Sequence, residues 1–398
     1  MLDALVFTEH SREPMIAPFE SIRGPEMFIH FEEPTKTFCI LLAGGKGARL
    51  HELTENVCKP ALPFAGGHLI DFTLENAVRS GVRQVLVAGQ YRANNLSDYL
   101  QRAWAGRFDQ GLVFRNGFQF APGGYAGTAD AVRANFEAVL NSGADTVLVL
   151  SADHVYRMDY RQMIEAHRAS GAKVTVAADL VDIDKASSFG VLDVNADGRI
   201  RHFLEKPNDP PALCADPTRA LVSMGIYVFD RAWLAQALCC DDRHDFGHEI
   251  LPIAVDEGVA HAYRPAAYHG GTFYWRDVGT LDSYLQAQLD FIAGTSRPFS
   301  AGHMECFSPA VRRAAMTGSV LLPGATVEEG AMLSRAIVAA GVRVPSQLRV
   351  GFDRDEDLHW FRTTANGTAL ITAGMIANWQ AAHSSGKPLE YGANVVGV

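Results

Sequence analysis

The sequence predicts an α/β protein: a mostly parallel, doubly wound sheet domain followed by a short left-handed parallel β-helix domain. Three observations lead there. From Phe38 onward, short apolar runs alternate with helix-patterned segments. The first apolar run ends in a glycine-rich turn, Gly44-Gly45-Lys46-Gly47. After about residue 290, apolar residues recur at every sixth position.

A chain of 398 residues is long for one domain, so a large domain with a smaller one is the natural division. We place an N-terminal extension at 1–36, the sheet domain at 37–292, the β-helix at 293–379 and a loose tail at 380–398. The extension lacks clear periodicity and is expected to pack on the surface or join a subunit contact. Hydrophobic residues make up 48% and charged ones 20%, enough for a sizeable core under a polar surface. The net charge of −10 argues against a nucleic-acid-binding surface, although a local basic pocket stays open. No apolar run approaches the roughly 20 residues that span a membrane. The N-terminus lacks the basic start and apolar core of a signal peptide, so the cytoplasm is expected. Six cysteines without C-x-x-C spacing are expected to be reduced and mostly buried.

Taken in order, Phe38 to Leu42 has the length and content of a buried strand. Ile70 to Ser80 reads as a helix stopped by Gly81, and Gln84 to Ala88 as a strand. Ala129 to Asn141 reads as one helix, and Asp145 to Leu150 as a strongly apolar strand. Tyr160 to Ser170 is a helix pattern and Lys173 to Ala178 a strand. Such alternation builds a sheet covered on both faces, with ligands beyond the carboxyl ends of its strands. In the C-terminal part, Leu321, Val327 and Leu333 are spaced by six. After a slip, Val338, Val344 and Val350 repeat the spacing. Glycines at 324, 330, 341 and 351 fall between them, which favours a β-helix of about two coils over an irregular meander.

The chemistry concentrates in the glycine-rich turn. Residues without Cβ let backbone N–H groups approach a ligand's oxygens, and Lys46, Arg49 and Lys59 add the positive charge that a polyphosphate needs. The pattern is neither G-x-G-x-x-G nor a P-loop, because Ala48 follows Gly47. A tight strand-to-helix turn is the plain alternative. Asp153 follows the apolar strand and is placed to hold a metal ion over the turn, with a helix N-cap as the other reading. Asp277 is a second candidate ligand; two carboxylates on Mg²⁺ would draw two phosphates together.

Leu42-Ala43-Gly44-Gly45-x-Gly47-x-Arg49-Leu50 followed by Lys59-Pro60 resembles the signature of sugar nucleotidyltransferases. The motifs G-G-K-G-A-R-L, Y-A-G-T-A-D-A-V, S-A-D-H-V-Y, F-L-E-K-P, S-M-G-I-Y-V-F, H-D-F-G-H-E-I-L-P and Y-W-R-D-V-G-T follow in order. Together they resemble bacterial glucose-1-phosphate adenylyltransferase, or ADP-glucose pyrophosphorylase, over about 38–290 and again over 318–376. The resemblance implies a Rossmann-like nucleotidyltransferase domain with a C-terminal β-helix. It implies adenylyl transfer from ATP to glucose 1-phosphate with Mg²⁺ as cofactor, and a homotetramer. The short β-helix and unusual N-terminus leave a dimer open.

The resemblance also implies residue roles. Leu42, Ala43, Gly44, Gly45, Gly47, Gln90, Tyr125, Gly127, Thr128 and Asp130 would bind the nucleotide, with Gln90 and Gly127-Thr128-Ala129 reading the adenine. Arg49, Lys59, Asp153, Lys206 and Asp277 would be catalytic, with Asp153 and Asp277 on the metal. Gly190, Glu205, Lys206, Ser223, Tyr227, Asp245, Phe246 and Trp275 would hold the sugar phosphate. Read alone, Gln90 is a polar strand end, Glu205-Lys206-Pro207 a surface turn, and Tyr227 and Phe246 core aromatics. His244 and His248 bracket Asp245 but lack a third ligand at metal spacing. Ala126 stands where the family usually has Arg or Gln, His248 where it has Lys, and Glu55-Asn56-Val57-Cys58 where basic residues are frequent. Lost positive charge leads us to expect weak or altered control by phosphorylated effectors. A different sugar nucleotidyltransferase and a catalytically weak paralogue are the competing expectations.

Overall fold

The computed structural model describes residues 37–240, 242–266, 273–293, 310, 313–314 and 317–384. They fall within one compact unit spanning Lys36–Val398. The extension read at 1–36 and the end of the tail lie outside the described residues.

Nine strands form the main sheet among the described residues: β1 Thr37–Ala43, β2 Val85–Gly89, β3 Leu112–Asn116, β4 Thr146–Ser151, β5 Val174–Asp182, β6 Gly190–Val194, β7 Ile200–Glu205, β8 Arg219–Asp230 and β9 Ala260–Tyr263. β1 lies between β2 and β4, parallel to both, and β3 extends the parallel run beyond β2. The sheet has the expected parallel core, and its other side carries antiparallel strands. β8 runs antiparallel to β4 and β5, and the β6–β7 hairpin joins at its amino-terminal half.

Successive residues of β1 enter opposite cores, since strand side chains alternate between faces. Phe38 and Ile40 join a cluster with Val132, Val139, Leu234 and Leu251. Cys39 and Leu41 join one with Ile70, Leu74, Leu96 and Ile164. Coverage of both faces explains the unbroken apolar run that marks this strand in the sequence.

Helices α1 Leu69–Arg79, α2 Ala93–Ala103 and α5 Tyr160–Ser170 supply the second cluster. α5 starts at Asp159, whose side chain accepts from Arg161 N–H, and stops at Gly171 in the left-handed region, φ 66°. The helix expected over 129–141 is two, α3 Thr128–Ala134 and α4 Phe136–Ser142. The break falls at Asn135, whose side-chain amide donates to Ala131 O and Tyr125 Oη. Two of the five described cysteines, Cys39 and Cys58, are buried, and Cys214 and Cys239 are exposed, so most are not buried as expected. Burial pushes the Cys58 thiol up and keeps it unreactive.

His167 on α5 is buried against β5, its Nδ1 2.8 Å from Thr175 Oγ1. Burial depresses its pKa to about 4. The unfolded chain takes up this proton near pH 6.5 and the folded chain near 4, so stability is full above 6.5 and falls as pH drops through that window. The loss amounts to about 2–3 kcal/mol near pH 4.5. His167→Gln is expected to lose less stability between pH 7 and 4.5 in urea titrations. An equal loss in both proteins would show that His167 does not set the acid limit.

The C-terminal part forms the expected β-helix. Val320 pairs with Ile337, Thr326 with Arg343 and Met332 with Arg349, all parallel and each 17 residues on. Three hexads would give 18, so the slip after Leu333 is a one-residue deletion at a corner. Ala336–Val338 then stacks on Ala369–Ile371. The helix Ala373–Ser384 runs into the stretch from residue 380 that was expected to be a loose tail.

Candidate active site

β1, β2 and β4 are parallel neighbours, so the loops at their carboxyl ends meet. β1 delivers the glycine-rich turn, β2 delivers Gln90 and β4 delivers Asp153. These loops open on a cleft of about 420 Å³. Leu42, Ala43, Gly44, Gly45, Lys59, Gln90, Tyr125, Gly127, Thr128, Asp153, Glu205, Lys206, Tyr227, Asp245 and Phe246 line it. Seven other expected residues stand behind or beside it. A larger cavity, about 610 Å³, lies toward the amino ends of β1 and β2, and none of the expected site residues lines it.

Lys59 is the junction of the site. It is 5% exposed, and its Nζ donates to Asp153 Oδ2 at 2.8 Å and to Asp277 Oδ1 at 3.3 Å. Asp277 comes from far along the chain by pairing of Trp275–Asp277 with His154–Tyr156, which sets it opposite His154. Burial works against the Lys59 ammonium, but the two carboxylates outweigh it and raise its pKa. Burial likewise opposes the Asp153 carboxylate, yet the lysine beside it holds that group well below the usual carboxylate range. Ser151 Oγ also donates to Asp153. The Asp153 carboxylate therefore stays ionised beside the ammonium, and the two carboxyl groups leave a place for a second cation to bind.

The donor chemistry fits a divalent ion. Oxygens of Asp153 and Asp277 and a ring nitrogen of His154 all lie within 4.8 Å of one another. His154 is the residue that the sequence reading missed, although it directly follows Asp153. Arg49 reaches this region from the turn Ala48–Thr54, which opens at Gly47 in the left-handed region, φ 63°. A Cβ on Gly279 would sit 2.8 Å from Arg49 Nη2 and 3.0 Å from Asp277 Oδ2, so guanidinium and carboxylate share that corner.

On the opposite wall, the Gly127–Thr128 loop is lashed to His244–Phe246. Thr128 Oγ1 donates to Asp245 Oδ2 and accepts from Phe246 N–H, both at 3.0 Å. Ala129 N–H donates to His244 O at 2.8 Å, an approach so close that a Cβ on Gly127 would lie 2.2 Å from that oxygen. Arg133 donates to the carbonyls of Cys240 and Arg243 and pairs with Asp130, so Asp130 braces the loop behind the cleft. Gln90 Oε1 accepts from Tyr125 N–H at 2.6 Å and orders the same loop.

The sugar-side residues are more dispersed. Glu205 pairs with Lys206 and fills the space left by Gly190 and Gly247. Lys206 holds a positive φ of 46°, a strained conformation for a side-chain-bearing residue. Ser223 Oγ lies 3.4 Å from Tyr227 Oη, and the Tyr227 ring packs on Phe246. Trp275 packs between His154 and Phe189 and does not line the cleft.

Residues 38–293 match the family described as nucleotidyl transferase, and 308–371 match the GlmU-like, C-terminal hexapeptide family. The glucose-1-phosphate adenylyltransferase of Jannaschia sp. is 36% identical, over 86% of this chain and 96% of its own. That of Granulibacter bethesdensis is 37% identical, over 85% and 97%. Glucose-1-phosphate adenylyltransferase 2 of Alkalilimnicola ehrlichii is 35% identical, over 85% and 94%. The chain belongs to the nucleotidyl transferase family, in its glucose-1-phosphate adenylyltransferase branch. The two family matches meet the sheet domain and the β-helix described above. No described helix is long and apolar enough to cross a membrane.

Proposed function

We propose that this protein transfers the adenylyl group of ATP to α-D-glucose 1-phosphate, giving ADP-glucose and pyrophosphate for α-glucan synthesis. A phosphate oxygen of the sugar phosphate attacks the α-phosphorus of ATP in line. The bond from that phosphorus to the bridging oxygen breaks, and its electrons leave with pyrophosphate. The nucleophile is already ionised near pH 7, so no protein base is needed and the residues act by positioning and charge. A divalent ion on Asp153 and Asp277, Mg²⁺ in our reading, would neutralise phosphate charge there. The turn amides, Arg49 and Lys59 hold the triphosphate, Lys206 and Glu205 hold the sugar phosphate, and Tyr227, Asp245 and Phe246 face the glucose. The observation that supports this reading most is the buried Lys59 bridging Asp153 and Asp277 at the mouth of the glycine-rich turn. We take the enzyme to act in the cytoplasm as a homotetramer.

Pyrophosphate release with Mg²⁺, glucose 1-phosphate and each of ATP, UTP, GTP, CTP and dTTP tests the proposal. ATP-dependent turnover, lost in Asp153→Ala by about 10³-fold or more, is expected. Preference for another triphosphate would move the protein to a sister activity. No turnover with any triphosphate would favour the weak-paralogue reading that Ala126 and His248 suggest. A phosphorylated sugar added to the same assay is expected to change the rate little, and strong activation would overturn our expectation of weak control.

A further inference from the structure

His154 is held in one tautomer by a fault in the sheet. Along β8, Ser223 pairs with Ala178 and Tyr227 with Val176, so residues 224–226 bulge out of the ladder. Gly225 in the bulge takes φ 68°. Freed from its strand partners, the Met224 carbonyl lies 3.0 Å from His154 Nδ1. A carbonyl can only accept, so Nδ1 carries a proton, and in the neutral ring it is Nε2 that holds the lone pair. The ring is 12% exposed and stands edge-on to Trp275 at 5.5 Å between centroids. Its Nε2 points between the carboxylates, 3.6 Å from Asp153 Oδ1 and 3.6 Å from Asp277 Oδ1. That is too long for a hydrogen bond and close to the spacing of neighbouring donors around one ion, roughly 3 Å for bonds near 2.1 Å.

We infer that His154 Nε2 is a third protein ligand of the divalent ion, completing an Asp–His–Asp set with Asp153 and Asp277. The inference rests on the proposed reading that these two carboxylates hold the ion. A carbonyl hydrogen-bonded to the distal nitrogen is the arrangement that orients ligating histidines and raises their basicity. A nitrogen donor also shifts preference away from Mg²⁺ toward softer ions such as Mn²⁺ and Co²⁺. His154 thus helps to decide which metal the site accepts.

Pulsed electron paramagnetic resonance of the full-length protein with one equivalent of Mn²⁺ tests this directly. Modulation from a directly bound ¹⁴N is expected in the unmodified protein and absent in His154→Gln. Mn²⁺ affinity is expected to weaken about 10-fold or more in that variant, and Mg²⁺ affinity, read by competition, less than about 3-fold. Bound Mn²⁺ that is lost in Asp153→Asn but shows no ¹⁴N coupling would overturn ligation by His154 and leave the carboxylate site standing. Coupling that persists in His154→Gln would assign the nitrogen elsewhere and overturn it too. Failure of the unmodified protein to bind Mn²⁺ would sink the carboxylate site itself, and with it the inference.

Discussion

Lys59→Met is expected to lower kcat by about 10²–10³-fold and to destabilise the fold by about 3–5 kcal/mol. Both effects have one cause. Removing the ammonium leaves Asp153 and Asp277 facing each other in a partly enclosed space without the cation that bridges them. Their mutual repulsion then opposes ionisation, so the variant should lose stability as pH rises through the carboxylate range. The unmodified protein behaves oppositely: Asp153 titrates well below the usual range and supports the fold down to acid pH. Thermal unfolding should show a melting point lower by about 5 °C or more at pH 7.5, partly restored by millimolar Mg²⁺. A melting point and kcat both near those of the unmodified protein would show that Lys59 is a peripheral ion pair.

Gly127→Ala should raise KM for ATP and for glucose 1-phosphate together, lowering kcat/KM by about 10²-fold. The added methyl would lie 2.2 Å from His244 O, a backbone atom that cannot turn aside. The backbone itself is extended at this position, with φ −178°, so the effect comes from contact and not from strain. Relief requires the Gly127–Thr128 loop to part from His244–Phe246, which breaks the Thr128–Asp245 contact and shifts both subsites at once. Thr128→Ser keeps the hydroxyl and should stay within about 3-fold of the unmodified enzyme. A rise confined to one substrate's KM would mean that the two loops bind independently.

Much of this was legible because the signals were local. A strand buried on both faces must be an apolar run, and a sharp turn that enters the left-handed region, as at Gly47, favours glycine. The β-helix announced itself through its six-residue period and even through the missing residue after Leu333. Other features depend on distant partners. Nothing within Arg219–Asp230 says that this strand runs against its neighbours, because direction is set by where the chain enters the sheet. The break at Asn135 involves neither Gly nor Pro and rests on a hydrogen bond to the Tyr125 hydroxyl. The place of His154 was hidden for a similar reason. Adjacent residues in a strand point apart, but Asp153 lies in the bend before the strand begins, and the tautomer is fixed by a carbonyl 70 residues away.

The two family matches divide the chain near residue 300, yet the apolar interior ignores that line. Leu50 and Leu53 beside the glycine-rich turn, and Leu281 and Leu285 on the helix Leu281–Ile292, share one cluster with Val320, Leu322, Ile337 and Leu370 of the β-helix. Arg362 forks onto Glu52, and Asp282 accepts from Thr364 and Thr368 across the same seam. The β-helix is therefore a floor of the catalytic domain and not a detachable module. Cutting the gene at the family boundary would yield a fragment with an oily underside directly below its glycine-rich turn. Domain exchange between relatives succeeds only if this shared seam travels with the graft.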